Sequence, residues 1–263
     1  MKSTESIRVE LDDGLAILSL AQPARGNPID GPFGRDFKQV ASDLLDAPGL
    51  RAVLLRADGP NFSFGGDLKT FYPARDRLAP LVREWTAELH MGLQRFWRLP
   101  VPVVTAVQGF AMGGGVAMLA GCDVVMAGAS ARLGSAFAQL GFSCDSGSTV
   151  TLTYRMGVAR ARRFVLLAEM LDSQGAQAAG LVDLVVPDAQ LQDDALALAR
   201  RFAAGPTVAY GETKRLFMKA GAAQLEAQLE DEALTLARVS ATLDAQEGIA
   251  AHVEKRKPVF QGR

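Results

Sequence analysis

The N-terminal part of the chain alternates apolar and polar positions. The alternation covers residues 7–11 and, in part, residues 15–20, with the turn sequence Asp12-Asp13-Gly14 between them. Two alternating stretches around a tight turn predict a β-hairpin. Apolar residues then recur at helical spacing over residues 33–45, and a Val-Leu-Leu core within residues 51–57 predicts a buried strand. The chain is therefore predicted to begin β-β-α-β.

Two apolar runs separated by three glycines occupy the centre of the chain. An amphipathic pattern over residues 79–98 predicts a long helix, and the β-branched run 101–107 predicts a buried strand. Glycines 113–115 follow, and the run 116–120, rich in Ala, Met and Leu, predicts another helix. The first N–H groups of a helix lack internal partners and carry the positive end of its dipole, so this turn suits a developing negative charge. Tight packing is the alternative explanation for the glycines.

Helices dominate the rest of the chain. Short strands are predicted at residues 122–127, 131–134 and 181–186. Helices are predicted at residues 157–168, 173–179, 188–204, 206–220, 222–240 and 244–255. Because no strand is predicted after residue 200, the pattern indicates an α/β core with a helical C-terminal appendage.

Composition and charge exclude several classes of protein. The chain has 263 residues, of which 49% are hydrophobic, and a net charge of −1. The length and the apolar fraction are enough for a large buried core. The net charge gives no sign of a basic surface that would bind nucleic acid. Its two cysteines lie in or beside apolar segments, as expected in a reducing compartment. We see no signal or transit peptide and no apolar run of membrane-spanning length, and therefore expect a soluble, cytoplasmic protein with no membrane or nucleic-acid partner.

Four short segments follow one another in a fixed order along the chain. They are residues 61–68 (NFSFGGDL), residues 102–115 (PVVTAVQGFAMGGG), Cys122-Asp123, and residues 254–260 (EKRKPVF). Together they resemble the crotonase (enoyl-CoA hydratase/isomerase) superfamily, and the resemblance covers essentially the whole chain. It implies an α/β fold of the ClpP/crotonase type, a spiral of β-β-α units over residues 1–200, followed by a helical trimerisation region over residues 201–263.

The resemblance also implies a substrate and a site. The substrate would be an acyl-CoA thioester, with coenzyme A as part of the substrate, no separate cofactor and no metal, and the chain would assemble with itself as a homotrimer or a dimer of trimers. Family members hold the thioester oxygen with two backbone N–H groups as it becomes an enolate. By position these groups belong to Gly66 and Gly114. Fixed donors in a dry site stabilise such an oxyanion strongly, so this interpretation displaces tight packing.

The reaction is predicted from departures from the family pattern. Hydratases of the family carry two glutamates at positions that are Ala117 and Phe137 here, and neither side chain can transfer a proton. Asp145 lies where several isomerases place a single carboxylate, and one carboxylate is enough to move a proton between carbons. An apolar surround that includes Leu140 and Phe142 is expected to raise the pKa of Asp145. Isomerisation is therefore the favoured reaction. A helix N-cap is the alternative role for Asp145.

His90 opens a rival interpretation. In 4-chlorobenzoyl-CoA dehalogenase, a member of the superfamily, an aspartate at the position of Asp145 attacks the ring and a histidine at the position of His90 activates water. A tryptophan that supports that aspartate is replaced here by Phe137, which weakens the match. A hydrogen bond from the histidine ring to a backbone carbonyl is the favoured role for His90. A hydrolytic dehalogenase or thioester hydrolase, and a catalytically silent acyl-CoA-binding or RNA-binding relative, stay open as alternatives.

Further residues are placed at the substrate by the resemblance. Arg25 and Lys255 match basic positions that meet CoA phosphates, and Asp67, Leu68 and Lys69 continue the first oxyanion loop beside the nucleotide. Solvated surface charge is the alternative for the two cations. The aromatic residues that hint at a bulky acyl pocket are Phe64, Tyr72, Trp85, Phe137 and Phe142, although aromatic residues are more often core.

Overall fold

The computed structural model describes residues 2–221 and 225–261 of the chain. Its strands are β1 (Ile7–Asp12), β2 (Leu15–Leu20), β3 (Ala52–Ala57), β4 (Val103–Val107), β5 (Phe110–Met112), β6 (Val124–Gly128), β7 (Arg132–Gly134), β8 (Met170–Asp172) and β9 (Leu184–Val186). Its α-helices are α1 (Gly31–Leu45), α2 (Leu68–Phe71), α3 (Leu78–Trp97), α4 (Gly114–Ala120), α5 (Ser148–Met156), α6 (Val158–Leu166), α7 (Ser173–Ala178), α8 (Leu191–Ala203), α9 (Thr207–Gly221), α10 (Leu225–Ser240) and α11 (Leu243–Val253). None of these described helices combines the length and apolar composition needed to cross a membrane.

The main sheet contains six strands in the order β1-β2-β3-β4-β6-β9. Strands β1 and β2 are antiparallel, and every later pair of neighbours is parallel. The predicted hairpin and the β-β-α-β beginning are thus confirmed. Strands β2 and β4 are buried along their whole length, as parallel strands covered on both faces are.

Different helices cover the two faces of this sheet. Leu18 belongs to a core cluster with Phe37 of α1 and Phe96 of α3. Its neighbour Ile17 belongs to a second cluster with Ala195 of α8. Successive side chains of a strand point to opposite faces, so the period-two pattern of β2 sorts its residues between these two cores.

A second, three-stranded sheet in the order β5-β7-β8 corrects the prediction for the glycine run. Sequence analysis placed the glycines directly after the strand of residues 101–107, but β5 intervenes and turns the chain first. Isolated bridges pair Ser63 with Ala111 of β5 and Gly65 with Pro28. The loop after β3 is thereby fixed beside the strand that leads into the glycines.

The C-terminal helices pack on the core of their own chain. Helix α10 lies against α3, where Leu236 shares a small cluster with Val82. Helix α11 contacts residues 68–77 and residues 138–140. The start of the predicted helix 222–240 falls on residues 222–224, outside the described residues. The prediction that residues 201–263 serve oligomerisation stays a prediction.

Candidate active site

A cavity of about 550 Å³ lies beside the two glycine loops. The loop after β3, helix α3, the β5–α4 turn, the segment between β7 and α5, and helices α10 and α11 all contribute to its wall. Its size is that of an ordinary small-molecule site. The cavity therefore brings together segments that are far apart in the sequence.

The glycine turn before α4 presents a free backbone donor to this cavity. Gly113 has a φ of 50°, which a side chain would strain, and its N–H donates to Gly134 O at 2.9 Å. Gly114 is the first residue of α4, and its N–H donates to no residue that the structure describes. The positive end of the helix dipole therefore faces the cavity at Gly114.

The second glycine loop is held against the first. A Cβ built on Gly65 would lie 2.7 Å from Met112 O and 3.4 Å from Gly114 N, so only a glycine allows this approach. The Gly65 carbonyl accepts from Ile29 N at 2.8 Å, which fixes the loop from its other side. The N–H of the next residue, Gly66, also has no acceptor among the described residues. The two donors named from the sequence thus border the same cavity.

Asp145 lines the cavity and forms a buried pair with His90, which lies behind it and does not line the cavity itself. His90 Nε2 lies 2.8 Å from Asp145 Oδ1, and the two residues are 5% and 8% exposed. Ser146 Oγ donates to the other carboxylate oxygen at 3.1 Å. The favoured role of His90, a hydrogen bond to a backbone carbonyl, is therefore wrong. The alternative N-cap role of Asp145 is also not observed, because the N-cap of α5 is Gly147.

The environment of the pair favours its charged forms, the Asp145 carboxylate and the His90 imidazolium. Burial alone raises the pKa of Asp145, but the charge and the hydrogen bond of His90 outweigh it, and the pKa is lowered from 3.8. The apolar surround alone predicts a raised pKa for Asp145. This prediction is wrong because the cation of His90 lies against the carboxylate. For His90, burial lowers the pKa, yet the charge and hydrogen bond of Asp145, with more distant help from Glu232 and Glu230, raise it overall.

Glu232 is a buried carboxylate that sequence analysis missed. It lies on α10, is 3% exposed, and accepts from Gly147 N at 2.6 Å and Thr149 N at 2.9 Å, as well as from Thr149 Oγ1. Burial, together with the charge of Asp145, raises its pKa despite these hydrogen bonds. A signal was present in the sequence: Glu232 falls between Leu229 and Leu236 at helical spacing, on the apolar stripe of its helix.

Arg25 lies at the cavity between two carboxylates. Its Nη2 is 2.6 Å from Asp30 Oδ2 and 2.6 Å from Asp67 Oδ2. The other oxygens of these aspartates cap helices, since Asp30 accepts from Phe33 N in α1 and Asp67 accepts from Lys69 N in α2. Hydrogen bonds to Asp67 and then Asp30 raise the pKa of Arg25. We name the three residues Asp30, Arg25 and Asp67 the arginine clamp.

Most other residues predicted at the substrate also line the cavity. Phe64, Leu68, Lys69 and Phe137 do so, but Lys255 does not. Lys255 is exposed, just beyond the end of α11, with a left-handed φ of 56°. Within this chain it is therefore separate from the other predicted site residues.

The wall near Asp145 is strongly aromatic. Phe71, which the sequence did not single out, lies 5.6 Å from Trp85 and 6.1 Å from Phe142 between ring centroids. These three rings and Phe137 line the cavity, whereas the predicted Tyr72 does not. The candidate site thus combines an apolar aromatic wall with one buried ion pair and two free backbone donors.

Comparison with known proteins identifies the family. The enoyl-CoA hydratase/isomerase family model matches residues 10–263. The probable enoyl-CoA hydratase of Rhodobacter capsulatus is 33% identical over 99% of this chain and 100% of the relative. The 1,2-epoxyphenylacetyl-CoA isomerase of Escherichia coli is 31% identical over 98% of this chain and 99% of the relative. An enoyl-CoA hydratase structure from Mycobacterium avium subsp. paratuberculosis matches with a TM-score of 0.88 at 27% identity, covering 97% of this chain and 98% of that one.

These matches confirm the predicted fold and superfamily. The similar structure covers nearly the whole length of both chains, so the α/β crotonase architecture extends over the chain as expected. The similar relatives carry both hydratase and isomerase names. On the family model and the relatives that match it end to end, the chain is an acyl-CoA enzyme that belongs to the enoyl-CoA hydratase/isomerase family.

Proposed function

We propose that this enzyme shifts a double bond in the acyl group of an enoyl-CoA thioester. One observation carries the proposal. Among the described residues that line the cavity, the carboxylates are Asp30, Asp67 and Asp145, and Arg25 holds the first two. Asp145 is left to act on a substrate, and a single carboxylate is enough for proton transfer between two carbons.

The glycine donors would stabilise the intermediate. Asp145 takes a proton from the carbon next to the thioester carbonyl, and the C–H electrons move into an enolate whose negative charge rests on oxygen. The N–H groups of Gly66 and Gly114, which have no described acceptor, bind this oxygen. Preorganised donors of this kind act where the charge develops and need no reorganisation during the reaction. The carboxylic acid then returns the proton to the far carbon of the conjugated system.

His90 would set the protonation state of Asp145. Its imidazolium lies 2.8 Å from the carboxylate and keeps it ionised before the reaction, in spite of its burial. A carboxyl group with a lowered pKa is a weaker base, but it gives the proton back more readily. The pair therefore favours the return step of an isomerisation, in which no water takes part.

Hydration of the double bond has less support. The positions of the two hydratase glutamates hold Ala117, which is fully buried, and Phe137, which lines the cavity without a titratable group. Similar relatives carry both hydratase and isomerase names, so their names do not decide between the two reactions. The lack of a titratable side chain at positions 117 and 137 supports isomerisation over hydration.

A panel of CoA thioesters tests the proposal. Matched enoyl-CoA substrates with the double bond one carbon nearer to or farther from the carbonyl are incubated in D₂O, and the products are analysed by NMR for bond position and deuterium. We expect a double-bond shift in the wild type, its loss in Asp145→Asn and its retention in Asp30→Asn. If Asp145→Asn turns over the thioesters as well as the wild type, the mechanism is wrong. If the wild type turns over none of them, a non-catalytic acyl-CoA-binding or RNA-binding role gains support.

A hydrolytic reaction is the second candidate, and the ion pair favours it. An ionised Asp145 beside His90 also suits a nucleophile that displaces halide from an aryl ring to form an aryl ester, or CoA thiolate from a thioester to form a mixed anhydride. Once Asp145 has lost its charge it no longer favours the imidazolium, and the neutral His90 would activate water for attack on the Asp145 carbonyl carbon. In a single turnover in ¹⁸O water, this mechanism places ¹⁸O in the Asp145 carboxyl group, whereas isomerisation places none. Halobenzoyl-CoA and phenylacetyl-CoA thioesters are the substrates for this experiment.

The CoA end and the assembly complete the proposal. Arg25, Asp67, Leu68 and Lys69 line the cavity and are the proposed contacts of the nucleotide part. Lys255 does not line the cavity, although Val253 two residues before it does, so its proposed contact with CoA lies outside the cavity wall. A homotrimer or a dimer of trimers is the proposed assembly. Sedimentation velocity with and without CoA measures both the mass and any dependence on the ligand.

A further inference from the structure

Glu232 connects the C-terminal region to the segment that carries Asp145. Helix α5 has Gly147 as its N-cap, and this residue offers no side-chain acceptor to the first turn. Glu232 supplies the missing acceptor from α10, because its carboxylate receives the N–H groups of Gly147 and Thr149 and the hydroxyl of Thr149. An acidic group at a helix N-terminus is also favoured by the helix dipole.

Asp145 belongs to the same turn. Its own carbonyl accepts from Ser148 N at 3.2 Å, so residues 145–148 form a closed turn between the reacting carboxylate and the first residue of α5. The Glu232 carboxylate accepts hydrogen bonds from the backbone N–H groups on both sides of Ser148, those of Gly147 and Thr149. Any displacement of the turn therefore moves Asp145 relative to His90 and to the glycine donors.

We infer that Glu232 is a positioning residue, which holds the turn 145–149 so that the Asp145 carboxylate faces His90 and the substrate. It does not line the cavity, and it acts only through the turn. The inference rests on the proposed role of Asp145. If Glu232 has this role, α10 contributes to the active site, although it lies in the region 201–263 that is predicted to serve oligomerisation.

A charge effect is separable from this positional effect. The carboxylates that act on His90 are Asp145, Glu232 and Glu230. Glu230 is exposed on the same helix and makes none of the hydrogen bonds to the turn. Glu230→Gln removes a negative charge that acts on His90 without releasing Asp145, although the charge of Glu232 acts more strongly. Thr149→Ala is therefore the second control, because it removes one hydrogen bond to Glu232 and leaves every charge in place.

The experiment compares Glu232→Gln and Glu230→Gln by kinetics and by NMR. In Glu232→Gln one acceptor oxygen is replaced by an NH₂ group that repels the backbone donors. We expect kcat to fall by about 10²-fold, the effect of a small misplacement of a reacting group, with KM little changed. The chain has two histidines, so ¹⁵N-imidazole NMR resolves His90. Its pKa is expected to fall in Glu232→Gln, because Asp145 moves away, and to change much less in Glu230→Gln.

Three results would overturn the inference. The first is a folded Glu232→Gln variant whose kcat and His90 titration are both unchanged. The second is an equal change of kcat and of the His90 pKa in Glu232→Gln and Glu230→Gln, which would mean that charge alone acts. If Glu232→Gln does not fold, Thr149→Ala decides, because it removes one donor to Glu232. A change of the same kind but smaller supports the inference, and no change overturns it. The His90 titration needs no substrate, so it remains decisive even if the proposed isomerisation fails.

Discussion

Two charged clusters border the same cavity, and they are built in opposite ways. In the buried pair, His90 and Asp145 balance one charge against one, and both are less than a tenth exposed. In the arginine clamp, one guanidinium whose side chain is 43% exposed holds two carboxylates. An unpaired charge is costly in the interior and cheap at the surface. In the proposed mechanism the pair sets the protonation state of Asp145, whereas the clamp ties Asp67, next to Gly66, to Asp30 at the start of α1.

Removal of the Asp145 carboxylate should have the largest effect on activity and should separate the two clusters most clearly. Asp145→Asn keeps the shape but cannot accept a proton, so we expect kcat to fall by about 10²- to 10⁴-fold. Asp30→Asn, in the clamp, is the matched control and should keep most of the activity. Steady-state kinetics with the substrate identified from the thioester panel measures both. Equal losses in the two variants would mean that the clusters do not differ as described.

The next effect is that of removing the cation of the buried pair. In His90→Gln the burial of Asp145 is no longer opposed, and its pKa rises from the lowered value of the wild type. The carboxylate is then protonated at higher pH, so the acidic limb of the kcat/KM profile moves to higher pH. Loss of one partner of a buried pair should also cost about 3–5 kcal/mol of unfolding free energy. An unchanged pH profile would show that Asp145 does not titrate in the reaction.

A smaller effect is expected when the clamp is opened. Arg25→Gln should lower the unfolding free energy by about 1 kcal/mol or less, because the arginine is partly exposed. This corresponds to a melting temperature lower by about 2 °C. Scanning calorimetry measures the stability and titration calorimetry measures CoA binding, with Arg201→Gln, an exposed cation of α8 that does not line the cavity, as the control. If CoA affinity falls in Arg25→Gln without a change in stability, Arg25 binds phosphate and is not a structural clamp.

The smallest effect is the dependence of stability on acid. Burial raises the pKa of Asp67, but Arg25 and the other hydrogen bonds to this carboxylate lower it overall from 3.8. A lowered pKa in the folded state gives stability that is present above 3.8 and is lost as the pH falls through the folded value. Urea unfolding over this acidic range should show a shallower slope in Arg25→Gln than in the wild type. Equal slopes would remove Asp67 from the clamp.

The parts of the site that were predictable depend on local constraints. The glycine run 113–115 stands out in the sequence because a backbone donor at the start of a helix needs residues without side chains, whereas Gly66 and Gly114 are named as a pair only by the family resemblance. The pairing of His90 with Asp145 was not predictable from pattern, because 55 residues separate the two. The direction of the pKa shift of Asp145 was therefore also out of reach, since it depends on that contact.

The elements that were missed are short or carry mixed signals. Strands β5 and β8 have three residues each, too few to show an alternation. Helix α5 has the sequence STVTLTYRM, whose β-branched residues favour a strand, and it is helical because its first turn is capped from α10. The long helices and the hairpin were predicted because their periodicity extends over enough residues.

The contact between Glu232 and the turn at Asp145 also determines when, during synthesis of the chain, this turn can acquire its cap. Chains fold from the N-terminus as they are synthesised. A nascent chain that ends before residue 232 already contains both glycine loops, His90 and Asp145, but the turn has no cap. The cavity wall also lacks Leu236, His252 and Val253 at that stage. The candidate site is therefore complete only when residues 225–253 have been translated and α10 has packed against α3.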